Sequence, residues 1–392
     1  MTRHSMHTPL SRRSFLQSST AATVLALAPS LARSTTASEP FSFVLLGDLH
    51  FDKLAHHDFA WLEKKYPNDL SQIKNYSRLT AEFMPRLFAT LRETITERNR
   101  TPATRVAFAL QVGDLVEGLC GNEELATQQN TEALAFVRDA RLGVPFLFAK
   151  GNHDITGEGA PAAFARVFHP FLTGQARALT PATEDIHSAR YTVRVGSAQF
   201  AFFDAYDRES LDWFEAVAAR RTAEHFFAIV HPPVVPYGAR ATWHQFSAEK
   251  DRPKREQLLN LLGREHAIVL GGHIHRLNAI ARATPRGRFA QLAVSSVIDA
   301  ENPPPKTLMS GLADYTGDQI RVEPKFSPET ESARRAVYDA ERPYVKAFDY
   351  ADLPGYAVVT IDGPHVTAKI FPGLGRQAWR TIDLSALVTG NT

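Results

Sequence analysis

The chain has 392 residues, 44% of them hydrophobic and 22% charged, an ordinary globular composition with material for a large core. The formal net charge is +2 and no basic stripe of the kind that grips nucleic acid is present. A single cysteine, Cys120, excludes an intramolecular disulfide and reads as a small buried residue near a loop.

Residues 1–37 carry four arginines, Arg3, Arg12, Arg13 and Arg33, and no acidic residue. The pair Arg12-Arg13 precedes Ser14-Phe15-Leu16 and the mildly apolar run AATVLALAPSLA. A basic start, a short apolar stretch and small residues near Ala32 or Ala37 read as a signal peptide of twin-arginine type. The run is too short for a membrane span, which needs about 20 apolar residues. These features predict use of the twin-arginine export machinery, a periplasmic or secreted location, and a mature chain with no transmembrane segment.

Five apolar, β-prone runs follow, each ending in a short polar tail. Residues 41–46 lead into GDLH, 105–112 into GDLVEG, 144–148 into AKGNHD, 226–230 into HPPV, and 267–270 into GGHIH. Runs of this kind suit strands buried on both faces. Apolar spacing of three and four predicts helices over 86–97, 132–137, 211–218 and 255–262. Alternating strands and helices argue for an α/β layered fold, in which function gathers beyond the carboxyl ends of the strands. Two hairpins are expected, one turning at Gly196-Ser197 and one at Asp362-Gly363. Residues 38–392 read as one domain. Within it, 295–354 is a loop-rich segment around Pro303-Pro304-Pro305, and 355–392 is a C-terminal β extension.

The tails together supply Asp48, His50, Asp114, Asn152, His153, Asp154, His231, His273 and His275. Carboxylate, imidazole and amide oxygen suit borderline divalent ions such as Mn, Fe or Zn. So many groups exceed what one ion needs and suit a pair that shares one carboxylate. Glycines beside them allow the chain to turn sharply at the strand ends. His56-His57 and Trp243-His244 read as solvated loop or helix starts and are left out of the site.

The order Asp48-Leu49-His50, Gly113-Asp114, Gly151-Asn152-His153-Asp154, His231, Gly272-His273-Ile274-His275 resembles the calcineurin-like metallophosphoesterase superfamily. The resemblance implies a four-layer α-β-β-α sandwich with two mixed β-sheets. It implies that Asp48, His50, Asp114 and His275 hold one divalent ion, and that Asp114, Asn152, His231 and His273 hold a second. It gives His153 a substrate-facing catalytic role, with Asp154 orienting it. It implies attack on phosphorus by a hydroxide between the ions, and a small phosphomono- or phosphodiester as substrate. The purple-acid branch adds a tyrosine after the Gly-Asp motif; Glu117 stands in that loop here. A nuclease and a non-catalytic binding protein on the same fold are the competing readings. The charge balance and the export signal speak against the first, and the complete motif set against the second. The loops after Asp52, around 157–174 and over 295–354 are expected to choose the substrate.

Overall fold

The computed structural model describes residues 39–317 and 331–390. The predicted signal peptide lies outside them. In chain order the elements are β1 (Phe41–Leu46), α1 (Phe59–Lys65), α2 (Leu70–Glu82), α3 (Met84–Arg98), β2 (Val106–Gln111), α4 (Glu123–Asp139), β3 (Phe146–Phe148), α5 (Ala160–Leu179), β4 (Tyr191–Val195), β5 (Ala198–Phe203), α6 (Ser210–Ala219) and β6 (His225–Val230). They continue with α7 (Arg252–Arg264), β7 (Ile268–Gly271), β8 (Leu277–Thr284), β9 (Gly287–Ala293), β10 (Lys306–Ser310), α8 (Glu331–Glu341), β11 (Val345–Asp352), β12 (Gly355–Asp362), β13 (His365–Pro372), β14 (Arg380–Asp383) and α9 (Leu384–Thr389).

The strands form two mixed sheets. One runs β14-β13-β12-β1-β2-β3, the other β10-β11-β8-β9-β7-β6-β5-β4. Phenylalanines join their inner faces. Phe43 stacks on Phe108 at 5.1 Å within the first sheet and meets Phe200 edge-on at 5.3 Å in the second. Phe200 in turn stacks on Phe227 at 4.7 Å. Period-two alternation explains the layering. In β6, Phe227 and Ile229 join this inter-sheet core, while Phe226, Ala228 and Val230 face the cluster made with Leu211, Phe214, Leu258 and Leu262 of α6 and α7. On the other side, Leu87, Phe88 and Leu91 of α3 and Leu134 of α4 cover the first sheet. The result is a sandwich of helices outside and two sheets inside.

The helix starts follow local chemistry. Asp58 caps α1 by accepting from Trp61 N at 3.0 Å, and Asn122 caps α4 by accepting from Leu125 N at 3.0 Å. Cys120 is buried, and burial pushes its thiol pKa up, away from reactivity.

Several expectations need correction. The second hairpin turns at Gly363-Pro364, one residue later than expected, because Asp362 pairs with His365. The segment 157–174 is mostly α5, not a loop. Gly157, Gly159 and Pro161 cluster at its start and Pro170 sits inside it, but Ala160, Ala163, Phe164, Phe168, Phe171 and Leu172 form one buried stripe. The region after Asp52 holds α1 and α2. The segment 295–354 contains β10, α8 and β11, and β11 pairs with β8 inside the second sheet. Residues 355–390 are not an extension: β12 pairs with β1 in the middle of the first sheet.

Candidate metal centre

Each of the five polar tails leaves the carboxyl end of a strand: β1, β2 and β3 in one sheet, β6 and β7 in the other. The ends converge. His50 Nε2 lies 3.0 Å from His275 Nε2, and His275 Nε2 lies 3.5 Å from Asp48 Oδ1. His231 Nε2 lies 3.1 Å from Asp114 Oδ2 and 3.3 Å from Asn152 Oδ1. The ring of His273 is 5.1 Å from that of His231. Asp48, His50 and His275 form one compact group of potential ligand atoms, and Asp114, His231 and His273 form another. Asp48, His50, Asp114 and His231 are buried.

The backbone is bent to make this possible. His50, Asp114, His273 and His275 have φ of 49°, 58°, 69° and 55°, in the left-handed region that non-glycine residues seldom adopt. Strain concentrated on four ring or carboxylate donors at one point is the mark of a functional site. The glycines leave room. A Cβ on Gly151 would overlap Asp114 Oδ1, and one on Gly272 would overlap Asp48 Oδ2. Backbone amides then fix the carboxylates: His273 N donates to Asp48 at 3.0 Å, and His153 N donates to Asp114 Oδ1 at 2.8 Å. His231 Nδ1 donates to Val112 O at 3.0 Å, which turns Nε2 toward Asp114.

Charges follow the packing. Burial opposes ionisation of Asp114, but His231, His153 and His50 outweigh it and hold the carboxyl well below its usual range. Burial also opposes Asp48, and His275 and His231 again lower it. His231 is pushed up to about 9, burial being outweighed by Asp114 and Asp48. His273 is pushed down to about 3 by burial and by His231. Burial lowers His275 too. The ionised carboxylates and the neutral imidazoles of His273 and His275 suit a divalent cation, which would take the place of the proton on His231.

His153 reaches the same space, with its ring 4.7 Å from that of His50. Its orientation corrects an expectation. Asp154 does not hold it: Asp154 accepts from the amides of Asp114, Val116 and Gly151 at 3.0, 3.1 and 2.7 Å and so fastens the two loops together. His153 Nδ1 instead donates to Glu117 O at 2.8 Å. Burial lowers the pKa of His153, but Glu117 and Asp114 raise it to about 9.

Sequence reasoning passed over three residues. Tyr76 of α2 stacks on His50 at 4.2 Å with the rings parallel to 3°. Buried Gln111 donates to the carbonyls of Gly47 and Gly113 and accepts from Gly113 N at 3.0 Å, tying the first two tails together. Glu117 is fully buried beside His50 and His153. Tyr76 and Gln111 stand in no motif, and Glu117 lies in the tail after β2, three residues beyond Asp114. His56-His57 and Trp243-His244 fall outside the two groups, yet they are not solvated. Asp52 Oδ1 accepts from His57 Nε2 at 2.7 Å in the interior, His244 is buried on Ala241 O at 2.8 Å, and the Trp243 ring is 5.7 Å from that of His273.

The calcineurin-like phosphoesterase family model matches residues 41–277, more than half of the chain. No curated protein matches. Among solved structures the protein is similar to purple acid phosphatase PPD1 from yellow lupin (Lupinus luteus) seeds, with a TM-score of 0.50 and 12% identity over 88% of this chain and 54% of that one. The chain thus spans about half the length of the lupin protein. It is also similar to a dimetal phosphatase from Danio rerio, with a TM-score of 0.50 and 13% identity over 88% of this chain and 98% of that one. At such identities these two likenesses speak for the fold alone, and the family rests on the 41–277 match: the chain belongs to the calcineurin-like phosphoesterase family.

Proposed function

We propose that the protein is an exported phosphoesterase that hydrolyses small phosphomono- or phosphodiesters at a pair of divalent ions (manganese, iron or zinc). One observation carries this reading. Asp114 Oδ2 lies 3.1 Å from His231 Nε2 and 4.0 Å from His50 Nε2, so a single carboxylate stands between the two donor groups. Asp48, His50 and His275 would hold one ion, His231, His273 and Asn152 the other, and Asp114 both. Bound there, the ions supply positive charge against the phosphoryl oxygens and an activated water.

The chain's own residues do the rest. Asp114 and Asp48 fix the geometry from rigid loop amides, so little reorganisation is needed as charge develops. His153 presents its second ring nitrogen to the substrate, because Nδ1 is occupied by Glu117 O. Glu117 and Asp114 favour its protonated form, which can donate to the departing oxygen. We expect His153→Ala to keep bound metal and to lose roughly 10²–10⁴ in turnover on an alkyl ester. Full activity of that variant on such a poor leaving group would remove the acid role.

Export rests on Arg12-Arg13 and the apolar run behind it. A twin-arginine route carries folded chains, so the metals could be loaded before export. Arg12→Lys with Arg13→Lys is expected to strand the protein in the cytoplasm, and undisturbed export would point to another route. Among the described residues no helix is long and apolar enough to cross a membrane. No nucleic-acid partner is invoked.

The deciding experiment compares p-nitrophenyl phosphate with bis-p-nitrophenyl phosphate on manganese-loaded protein, with Asp114→Asn as the blank. Hydrolysis of either above the blank supports the reading, and the preferred probe names the ester class. Rates equal to the blank on both, in protein that binds no metal, would sink it.

A further inference from the structure

A cavity of about 610 Å³ opens between α7, the end of α8 and β8. Phe246, Leu259 and Val337 give it an apolar wall, and Arg255, Arg282 and Glu341 a charged one. Trp243 and His244, neighbours in the stretch after β6, serve two different places. The Trp243 ring lies 5.7 Å from that of His273 at the metal centre, while His244 lines the cavity.

The charges of the cavity do not balance. Arg255 Nη2 and Arg282 Nε both donate to Glu341, at 2.5 and 2.7 Å. Arg252 at the rim is taken by Glu256 and Glu249, 3.2 and 3.8 Å away on the exposed surface. Burial and Arg255 push the pKa of His244 down to about 3, so it is neutral. The inner wall therefore sets two guanidinium charges against one carboxylate. The donors are in surplus too. A guanidinium has five N–H bonds. Arg255 Nη1 serves Val234 O at 2.9 Å and Gln245 O at 3.3 Å, and Arg282 Nη1 serves Ala283 O at 3.2 Å. Among the described residues nothing accepts from Arg255 Nε or Arg282 Nη2, and neither atom is sealed from solvent. Yet the two side chains are only 13% and 8% exposed, and a mostly buried charge without its own partner is costly.

We propose that this cavity is a second binding site, for an organic monoanion: Arg255 and Arg282 hold an oxyanion head of single charge, and Phe246, Leu259 and Val337 cover an apolar body. One surplus positive charge matches a carboxylate or a phosphodiester, each with one negative charge. Free guanidinium N–H bonds are the donors that oxyanions take best. The volume lies within the range of small-molecule sites, about 300–1,000 Å³, and leaves room for far more than the head. Tyr344, with Arg282 Cζ 4.8 Å from its ring centre, adds an aromatic face.

The test uses the full chain loaded with manganese, as parent, Arg282→Met and Glu341→Gln. Calorimetry follows the binding of benzoate, with benzamide as the same body without charge and acetate as the same charge without the body. The parent is expected to bind benzoate more tightly than either control. Arg282→Met leaves Arg255 and Glu341 as a balanced pair and removes the surplus charge. It should bind benzoate about 10–100-fold more weakly, the scale of a hydrogen bond to a charged group. Glu341→Gln adds a second surplus charge, so benzoate should bind it more tightly and raise its melting temperature more than the parent's. Equal benzoate affinity in parent and Arg282→Met would overturn the proposal, since a carboxylate taken by the manganese would behave so. Benzamide or acetate held as tightly as benzoate would also overturn it. Diphenylphosphinate, a phosphorus monoanion with no ester to cleave, is run in parallel. The tighter of the two anions names the head group, and failure of both to bind the parent refutes the site. Should the variants fail to fold, nuclear Overhauser contacts in the zinc-loaded parent decide alone. The benzoate ring should meet Tyr344 and Val337, and bound benzoate without those contacts would refute the placement.

Discussion

At the residue scale, the site depends on the absence of atoms as much as on their presence. Gly272 has no left-handed φ, so an alanine there is not strained by backbone preference. Its cost is spatial: the new Cβ would overlap Asp48 Oδ2 and come within 3.0 Å of Val112 Cγ2. Asp48 is buried and cannot swing into solvent. We therefore expect Gly272→Ala to fold but to lose on the order of 10² in kcat/KM and in metal affinity, as a displacement of about 1 Å at a reacting centre does. A manganese titration beside an activity assay checks it, and unchanged affinity would mean the loop yields. The sequence announced the nine motif residues because each stands in a short polar tail at the end of an apolar run. Gln111 and Tyr76 stand in no such tail, and Glu117, though in the tail after β2, gave no sign there of what it would face. Their roles come from what folds beside them, and Gln111 lies within a strand while Tyr76 lies within a helix far from any motif. Asp154 was legible as a site residue, but its partners were not, since amide acceptance by a carboxylate leaves no trace in spacing.

At the scale of elements, long apolar strands and amphipathic helices were readable, and α8 shows why others were not. Its buried residues are Arg334, Tyr338 and Glu341, at helical spacing but of types that no apolar count detects. Glu341 joins three elements. Its Oε2 accepts a hydrogen bond from Arg282 Nε of β8 at 2.7 Å, and its Oε1 accepts one from Arg255 Nη2 of α7 at 2.5 Å. Arg255 also donates to Val234 O at 2.9 Å, in the stretch after β6. Glu341→Gln would leave two largely buried guanidinium groups sharing no counter-charge, which costs about 3–5 kcal/mol. The pH dependence has a definite sign. Burial raises the Glu341 pKa, but Arg255 and Arg282 bring it below the ordinary 4.5. A depressed carboxyl stabilises the fold above 4.5, and that contribution is lost as the pH falls through the folded value. Urea unfolding should therefore show a large gap between parent and variant at pH 7 that closes as the buffer is taken below 4.5. A gap that is small at pH 7 would mean water or another anion serves the arginines equally well.

At the scale of the molecule, the family match ends at residue 277 while the fold does not. The two sheets are completed by β8, β9, β10 and β11 on one side and by β12, β13 and β14 on the other. The order matters most for β1, whose end carries Asp48 and His50. It lies between β2 and β12, and its pairing with β12 runs from Phe41 opposite Ile361 to Leu45 opposite Ala357. A chain ending after Pro354 would leave β1 as an edge strand with a row of unpaired amides and carbonyls. It would also forfeit burial of Val358, Val359, Ile361, Val366, Ile370 and Leu384, each 3% exposed or less. At about 1.5–3 kcal/mol per such side chain the loss reaches at least roughly 9 kcal/mol. The whole stability of a domain is only about 5–15 kcal/mol. Removing residues 355–392 is therefore expected to abolish cooperative unfolding in a thermal melt and to send the protein into the void of a sizing column, with manganese binding lost as β1 loosens. A monomeric, cooperatively melting truncation that still binds two ions would show that β1 and its tail are held from the β2 side alone, and that residues beyond 354 are dispensable to the centre.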